Sequence, residues 1–509
     1  MYEYQHNALE DIFKHIDGNT RDKYNLLFQL PTGGGKTVIF SEIARRFIQR
    51  SKQKVLILTH RIELCRQTYN MLLEFGIDSK VVNSKVKSIP RKNPHQCFVA
   101  MVETLNNRMQ DEAIRMENLG LIIIDEAHYN SFTKLFKYFK KGITLGVTAT
   151  PLSSNIDKPM KDNYHDLIIG ESISSLIQKG FLAKANTYSY NVGLTSLKVG
   201  RHGDYTVSSS ELLYANSGMQ HKLIHAYEET AKGSKTLIFN NGINTSRQVY
   251  YNFKDAGYEI RHLDNKTPMK TRKRILDWFH ETPDAILTSV SILTTGFDEP
   301  TVETVILNRA TRSLTLYFQM IGRGSRIIPG KKEFTVIDLG NNFARFGPWD
   351  GNIDWQRIFR NPDFYLQNIR SDEEIEQHFS YEMPGELISR FRNSDNIHFD
   401  MFKEYNEITE SGQRPFVAIE KSIDQHAGLI IHNSKDLYEA LELARLLEED
   451  IAQRIQNYAY CITKSTTNYR RWLNETYMEK LKNRLYNADY TLSEASLTRK
   501  GTSPSGSYS

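Results

Sequence analysis

A glycine-rich run between a short apolar strand and a helix constrains this chain more than any other feature, and it extends from Leu30 to Thr37. Consecutive glycines let backbone N–H groups approach phosphate oxygens, and the positive end of the following helix dipole points at the same place. A lysine after the glycines reaches the β and γ phosphates, and a hydroxyl after the lysine ligates Mg²⁺. The run therefore predicts a site for a nucleoside triphosphate, built from Thr32, Gly33, Gly34, Gly35, Lys36 and Thr37. Because Leu30 replaces the first glycine of the general pattern, a glycine-rich turn with a surface lysine is the alternative.

The length and composition predict an intracellular, cytoplasmic protein of several domains. The chain has 509 residues, of which 39% are apolar and 25% are charged. No window offers the roughly 18 apolar residues of a membrane span, and the first residues do not resemble a secretion signal. The net charge of +5 is too small to indicate a nucleic-acid partner by itself. Three cysteines are too few for a disulfide framework and too widely spaced for a zinc knuckle.

Apolar runs of strand length recur along the chain and are separated by stretches of helical periodicity. We expect buried parallel strands, and hence two doubly wound α/β lobes with ligand groups at the carboxyl ends of the strands. The predicted strands of the first lobe are residues 24–29, 55–58, 97–102, 121–124 and 145–147. Those of the second lobe are residues 236–239, 260–263, 285–288, 302–307 and 334–338, after an irregular connection at 191–216.

These patterns predict a domain order of two lobes, a helical region and a tail. We place the first lobe at residues 1–185, the second at 186–370, a mainly helical accessory region at 371–495 and a disordered tail at 496–509. In the accessory region, apolar residues from Leu437 to Tyr458 mark one face of a long helix, and residues 415–419 form a weak strand prediction.

An acidic stretch follows directly on the apolar run at residues 121–124 and contains Asp125, Glu126 and His128. Mg²⁺ takes hard oxygen ligands and binds one or two carboxylates beside phosphates, which suits Asp125 together with Thr37. Glu126 is then placed to orient or deprotonate an attacking water. A helix-capping acidic turn is the alternative.

Two arginines, Arg323 and Arg326, follow a helical segment in the second lobe, and at this spacing they are expected to share one face. Arginine binds phosphate bidentately and stabilises charge on a transferring phosphoryl group, an effect worth roughly 10³ to 10⁵ in rate for an arginine finger. We expect them to face the phosphates. A basic surface turn is the alternative.

Taken in order, these motifs and several shorter ones resemble those of the superfamily 2 DEAD/DEAH-box helicases over roughly residues 1 to 350. Within that superfamily the chain is most similar to RadD-like and XPB/Ssl2-type DNA helicases. The motifs that carry the resemblance are Gln5, residues 33–37, residues 59–61, residues 125–128, residues 148–150, residues 291–298 and residues 316–326.

The resemblance implies two RecA-like lobes that use ATP and Mg²⁺ to act on nucleic acid, most readily DNA. It assigns adenine recognition to Gln5 and contacts with the nucleotide across the cleft to Gly296 and Asp298. It implies that Gln319, Arg323 and Arg326 complete the site around the γ-phosphate.

The same resemblance assigns roles away from the phosphates. It implies that His128, Thr148 and Thr150 couple the nucleotide to strand binding. The residues that it places on the nucleic-acid backbone are Arg61, Thr104, Ser289 and Ser291. For two of these an ordinary role stays open, since Thr104 is also suited to cap a helix and Arg61 to be a solvated arginine.

Two departures from the relatives stand out, because neither a cysteine-rich zinc element after the core nor an N-terminal damage-recognition domain is evident. The accessory region interleaves basic and aromatic residues between Tyr469 and Tyr486, which suits strand stacking but suits an ordinary helix better. That region is also the candidate for protein partners. The alternatives to a DNA helicase are an RNA helicase and an ATP-switched subunit of a repair, restriction or defence complex that does not unwind.

Overall fold

The computed structural model divides into two compact units, Met1–Asp372 and Glu373–Ser509. The described residues are 1–83, 85–89, 93–112, 114, 116–155, 157–201, 203–290, 293, 297–375, 383, 385–391, 399, 401–462 and 467–488. Three predictions lie outside these residues: the contacts of Ser291 and Gly296, and the disordered tail at 496–509.

The first unit contains two parallel sheets, each covered by helices, as the apolar runs predicted. Among the described residues the first sheet has seven strands in the order β3-β4-β2-β5-β6-β1-β7. Its strands are β1 (Lys23–Gln29), β2 (Lys54–Thr59), β3 (Ser79–Val82), β4 (Cys97–Met101), β5 (Leu119–Asp125), β6 (Gly142–Thr148) and β7 (Asp166–Ile169). The central strands are apolar on both faces because helices pack on each side, so that Ile123 and Ile124 of β5 are fully buried.

The second sheet has six strands within the described residues, in the order β10-β11-β9-β12-β13-β8. They are β8 (Lys184–Ser189), β9 (Thr236–Asn240), β10 (Ile260–Leu263), β11 (Ile286–Val290), β12 (Thr304–Asn308) and β13 (Glu333–Asp338). The strands at the edges, β3, β7 and β8, were not among the predicted strands. They are short or half-exposed, which weakens the apolar signal.

Helices surround the sheets of the first unit. They are α1 (Glu3–Asp17), α2 (Lys36–Ser51), α3 (Ile62–Glu74), α4 (Val102–Gln110), α5 (Ile173–Gln178), α6 (Val207–Tyr214), α7 (Ser217–Thr230), α8 (Ile243–Asp255), α9 (Met269–Glu281), α10 (Leu314–Ile321), α11 (Asn342–Phe346), α12 (Trp355–Arg360) and α13 (Pro362–Gln367). Short 3₁₀ helices are present at Asn130–Tyr138 and Met160–Asp162. The segment at 191–216 is less irregular than expected, because α6 forms within it.

Helix α12 crosses back from the second sheet to the first. The Gln356 side chain donates from Nε2 to the carbonyl of Leu167 on the edge strand β7 at 2.8 Å, and Lys161 donates to the carbonyl of Arg360 at 3.2 Å. Gln356 thereby satisfies a carbonyl on the open side of the sheet. The chain therefore joins the two lobes twice, once between α5 and β8 and once through this returning helix.

All the regular secondary structure in the described residues of the second unit is helical, as predicted. Its helices are α14 (Gly385–Ile388), α15 (Met401–Glu410), α16 (Val417–Asn433), α17 (Leu437–Leu446), α18 (Glu448–Cys461) and α19 (Thr467–Tyr486). Two predictions are wrong here. The apolar face from Leu437 to Tyr458 belongs to two helices that break at Leu447, and the expected strand at 415–419 is the start of α16.

A buried polar cluster lies inside the second unit. His426 bonds Asp450 through Nε2 at 2.9 Å and Tyr477 through Nδ1 at 2.8 Å, and Arg454 also pairs with Asp450 at 2.6 Å. Burial is the main reason that the pKa of His426 falls to about 4. Along the described parts of the chain, every helix is too short or too polar to cross a bilayer.

Candidate functional site

The glycine-rich run forms the tight turn between β1 and α2. Gly33 and Gly35 adopt φ angles of +90° and +83°, a backbone region that other residues rarely enter, and α2 begins at Lys36. A Cβ atom on Gly35 would lie 2.5 Å from Nε2 of Gln5. The turn thus needs glycine both for its dihedral angles and for the close approach of α1.

Leu30, the residue that departs from the general pattern, is fully buried beneath this turn. A Cβ atom on Gly34 would lie 2.8 Å from the Leu30 Cγ atom, so the leucine side chain fills the space directly under the glycines. On the other side, the Tyr4 hydroxyl donates to the carbonyl of Gly34 at 2.9 Å. The turn is therefore held from β1 and from α1.

Gln5, predicted to recognise adenine, is buried in α1 beside the turn. Its Oε1 atom accepts a hydrogen bond from the backbone N–H of Tyr2 at 2.9 Å, and its Nε2 atom lies 3.4 Å from the Tyr4 hydroxyl. The structure thus brings Gln5 to the glycine turn and engages its amide with neighbouring residues. Adenine recognition by Gln5 stays a prediction.

Lys36 and the acidic stretch meet at the carboxyl ends of β1 and β5. Lys36 donates from Nζ to the carbonyls of Leu30 and Pro31 at 3.3 and 3.4 Å. Burial lowers the pKa of Lys36, while the carboxylates of Glu126 and Asp125 act in the opposite direction. Burial and the neighbouring Glu126 raise the pKa of Asp125 to about 7. The arrangement brings one ammonium and two carboxylates to the same place, with Asp125 buried and Lys36 and Glu126 half-buried.

The chemistry of the donor set fits the Mg²⁺ ion that the sequence implies. The carboxylate of Asp125 and the hydroxyl of Thr37 line one cavity, and both supply the hard oxygen atoms that Mg²⁺ prefers. Asp125 is 5% exposed, and its carboxylate accepts a hydrogen bond from the backbone N–H of Glu126 at 3.0 Å. These two residues would hold the ion.

Glu126 has the geometry expected of a residue under functional constraint. Its backbone φ is +53°, in the left-handed region that favours glycine and costs other residues about 1–3 kcal/mol. Its Oε2 atom is buried and has no hydrogen-bond partner among the described residues, although Nδ1 of His128 lies 3.5 Å away. A buried carboxylate oxygen without a donor is suited to bind and polarise a water molecule.

The two arginines of the second lobe face the same cavity. It has a volume of about 450 Å³, and its lining includes Gly33, Gly35, Lys36, Thr37, Asp125, Glu126, Asp298, Arg323 and Arg326. A volume of this size is typical of a site for a small molecule. A Cβ atom on Gly33 would lie 3.1 Å from the Arg326 guanidinium, so this arginine reaches the glycine turn across the cleft.

We expected the two arginines to share one helix face, and this prediction is wrong. Helix α10 ends at Ile321, and both arginines lie on the loop that follows. Arg323 is half-buried and donates to the carbonyl of Phe297, and desolvation together with the nearby Arg326 lowers its pKa to about 10. Arg326 donates from Nε to the Asp298 carboxylate at 2.9 Å. The loop after α10 is thus joined to residues 297 and 298.

The three residues predicted to couple the nucleotide to strand binding form a chain of hydrogen bonds. His128 bonds the Thr148 hydroxyl through Nδ1 at 3.1 Å, and its Nε2 lies 3.4 Å from Nε2 of Gln319 in the second lobe. The Thr148 hydroxyl in turn donates to the carbonyl of Thr150 at 2.9 Å. With the proton on Nδ1, the imidazole donates to Thr148 and accepts from Gln319. Gln319 therefore contacts the coupling chain and is not among the residues that line the cavity of Lys36 and Arg326.

These hydrogen bonds continue to a contact that the sequence did not reveal. The Thr150 hydroxyl donates to the Thr315 hydroxyl of α10 at 2.8 Å, across the cleft. Thr315 lies in a helix with a strongly apolar sequence, so nothing in the sequence indicated that its hydroxyl forms a contact between the lobes. Only its position four residues before Gln319 indicates that both side chains lie on the same side of α10.

The residues predicted to contact the nucleic-acid backbone do not gather in one place. Arg61 precedes α3 and lines a second cavity between the lobes, of about 660 Å³, together with Glu63 and Arg272. Thr104 lies in the first turn of α4 but does not cap it, since Met101 holds that position. Ser289 is fully buried in β11, so the prediction of a surface contact for its side chain is wrong. The ion pair between Glu63 and Arg272, at 3.2 Å across this cavity, was not foreseen.

Comparison with known proteins gives two matching families. The family described as "Type III restriction enzyme, res subunit" matches residues 1–153, and the family described as "Helicase conserved C-terminal domain" matches residues 219–328. A 51.5 kDa protein of a Lactococcus phage is 28% identical over 337 residues, which are 65% of this chain and 69% of the phage protein.

A candidate ATP-dependent helicase of Saccharomyces cerevisiae, IRC3, is 29% identical over 360 residues, which are 67% of this chain and 51% of that protein. Among solved structures, a fragment of a candidate HsdR subunit of a type I restriction enzyme from Vibrio vulnificus YJ016 has a TM-score of 0.52 at 23% identity. That likeness covers 67% of this chain and 64% of the fragment, and it shows the same two-lobed fold. The chain spans only about half the length of the yeast relative.

Proposed function

We propose that this chain, a superfamily 2 helicase by the two families that match it, hydrolyses ATP to move along or unwind DNA. The observation that carries the proposal is the cavity between the lobes. Lys36, Asp125 and Glu126 line it from the first lobe, and Arg323 and Arg326 line it from the second. A triphosphate in that cavity would contact both lobes at once.

The residues around the cavity divide the chemistry between them. Lys36 and the glycine turn bind and orient the phosphates, and Arg326 stabilises the negative charge that develops on the γ-phosphoryl group. Glu126 takes a proton from the attacking water through its unpaired Oε2 atom. Mg²⁺ on Thr37 and Asp125 would neutralise phosphate charge. Because Arg326 touches the phosphates only when the lobes are closed, ATP favours the closed pair.

Movement follows when closing and opening alternate with nucleic-acid binding. The chain from His128 through Thr148 and Thr150 to the second lobe is a path by which the state of the γ-phosphate alters the grip on a strand. Contacts with the phosphate backbone are electrostatic and tolerate many sequences, so binding should weaken steeply with added salt. Support for DNA as the track comes from the restriction-enzyme subunits among the matches.

The same site is compatible with two alternative functions, which experiment can distinguish. An RNA helicase would use the same cavity, and an ATP-switched subunit of a restriction, defence or DNA repair complex would hydrolyse ATP without separating strands. The restriction-enzyme matches favour a complex of this kind, in which the unit from Glu373 onward would bind protein partners. We place such a complex in the cytoplasm.

ATP hydrolysis measured with single-stranded, duplex and forked DNA and with RNA tests the proposal. We expect DNA to stimulate the rate and RNA to stimulate it less, and Lys36→Ala to abolish it because the phosphates lose their cation. The absence of stimulation by any nucleic acid would refute the proposal, and stronger stimulation by RNA would favour the RNA helicase. Strand-displacement assays then separate a motor from a switch.

A further inference from the structure

Lys331 is a buried cation near the arginine loop to which neither the motifs nor the proposed mechanism assigns a role. It follows the turn at Gly330 and precedes β13, and it is 7% exposed. No ion pair to Lys331 is formed among the residues that the structure describes. Burying an ammonium without a carboxylate partner destabilises the folded state, so we looked for a role that this charge serves.

The Lys331 ammonium binds two backbone carbonyls that belong to different loops. It donates from Nζ to the carbonyl of Gly324 at 2.7 Å and to the carbonyl of Pro300 at 3.0 Å. Gly324 lies between the two arginines, and Pro300 lies two residues after Asp298. The ammonium therefore bridges the loop that carries the arginines and the loop that carries their partner carboxylate.

Three side chains join these two loops at three different positions. Arg323 donates to the carbonyl of Phe297, Arg326 donates to the carboxylate of Asp298, and Lys331 donates to the carbonyl of Pro300. The Arg326–Asp298 pair is exposed, with 30% and 56% of the side chains accessible, and contributes little rigidity. Of the two remaining contacts, only the one from Lys331 uses the side chain of neither arginine.

We infer that Lys331 is a positioning residue that fixes the loop of Arg323 and Arg326 against residues 297–300. The inference rests on the proposed function, because it concerns the arginines that would bind the γ-phosphate. Gly324 is also closely packed, since a Cβ atom there would lie 2.2 Å from the Phe334 ring, so the loop is confined on one side and held by Lys331 on the other. Small displacements matter here, because an error of 1 Å in placement can cost about 100-fold in rate.

Titration of Lys331 gives the inference a signature that a purely structural role lacks. Burial lowers the pKa of Lys331 to about 8, with Glu303 and Glu299 opposing the shift and Arg326 reinforcing it, and the Phe334 ring lies 6.0 Å from Nζ. Below that pH the ammonium holds both carbonyls strongly. Above it the neutral amine binds them less strongly, so turnover should fall. The free energy of unfolding should instead rise between about pH 8 and pH 10.5, because the unfolded lysine, with a pKa near 10.5, binds more protons than the folded one in this range.

The experiment compares Lys331→Met, Lys331→Arg and a matched control, Lys235→Met, in the full chain. Lys235 is a buried lysine of the same lobe that donates to the carbonyl of His280, away from the arginine loop. ATP hydrolysis is measured between pH 6.5 and 9.5 with the most stimulating nucleic acid. We expect Lys331→Met to lower kcat by about 10- to 100-fold with little change in the KM for ATP.

We expect Lys235→Met to have the kcat of the wild type. Lys331→Arg should keep most of the wild-type kcat, and its kcat should not decline above about pH 8 as that of the wild type does. A kcat for Lys331→Met within about twofold of wild type would overturn the inference while leaving the proposed function intact. If Lys331→Met does not fold, Lys331→Arg provides the test. A kcat that declines near pH 8 in Lys331→Arg as steeply as in the wild type overturns the inference. A wild type without nucleic-acid-stimulated hydrolysis would overturn both proposals.

Discussion

The hydrogen bond between Thr150 and Thr315 offers a sharp test of communication between the lobes. Thr150 ends the coupling chain of the first lobe, and Thr315 lies on α10, which also carries Gln319. Replacing Thr315 with valine keeps the shape of the side chain and removes only its hydroxyl group. The variant therefore disturbs closure of the lobes without touching a residue that lines the phosphate cavity.

The magnitude follows from burial. Thr150 is fully buried where its hydroxyl meets that of Thr315, so Thr315→Val leaves the Thr150 hydroxyl without this acceptor. A buried unsatisfied donor costs about 1–3 kcal/mol, whereas in an open form water can satisfy the same group. The equilibrium between open and closed forms should therefore shift toward the open form by about 5- to 160-fold.

The assay is ATP hydrolysis as a function of nucleic-acid concentration. We expect kcat/KM for nucleic acid to fall by the same factor, because this ratio reports on closure whether or not the complex is saturated. ATP binding without nucleic acid should weaken by no more than the same factor, because ATP favours the closed pair while the glycine turn and Lys36 of the first lobe are unchanged. Thr315→Ser is the matched control, because it keeps the hydroxyl and should keep the ratio. Equal ratios for Thr315→Val and wild type would refute the role of this contact.

Three further predictions concern catalysis and stability. Glu126→Gln should retain ATP binding but lower hydrolysis by about 10²-fold or more, as loss of a general base does, and hydrolysis near the wild-type rate would exclude that role. Asp298→Ala should lower kcat by no more than about fivefold, because the exposed pair with Arg326 contributes about 0–1 kcal/mol; a loss of more than about tenfold would contradict this. The pKa of His426 is lowered to about 4 in the folded state, so stability is complete above pH 6.5 and is lost as the pH falls from 6.5 toward 4, by about 2 kcal/mol at pH 5. Thermal unfolding of the full chain at pH 7 and pH 5 measures this, and His426→Gln should flatten the dependence; an equally steep dependence in that variant would disprove the assignment.

Much of the core could be predicted because buried parallel strands leave a strong trace in sequence. The run at 121–124 is entirely apolar, and its strand and the acidic stretch at its end lie where expected. Edge strands leave a weaker trace. In β3 the first two residues, Ser79 and Lys80, are polar, and in β8 no residue is buried. Neither sequence pattern therefore differs from that of a loop.

Other features depend on packing that local patterns do not encode. The apolar period of 3.6 residues continues across Leu447, so the break between α17 and α18 is invisible in it. Ser289 lies in a strand buried on both sides, where alternation cannot indicate an exposed face. The contacts of Thr315 with Thr150 and of Lys331 with Pro300 join segments on different lobes or more than twenty residues apart, and a single sequence carries no signal for them.

Of the site, the sequence indicated the glycine turn, the carboxylates and the arginines, and the structure brings them to one cavity. What it could not indicate is how the arginine loop is held. Residues 297–300 and 322–331 are contacting loops whose bonds run largely to backbone carbonyls, and carbonyl acceptors are present at every residue type.

The double passage of the chain between the lobes restricts their relative freedom. One passage lies between α5 and β8, where the backbone N–H of Ala183 donates to the carbonyl of Ser325 beside the arginine loop. The other is α12, bound to the edge strand β7 through Gln356. Two separate points of attachment define a line, and rotation about that line strains neither, whereas sliding or twisting strains at least one. The fold thus selects a hinge axis, and each turnover should repeat the same swing in the same direction.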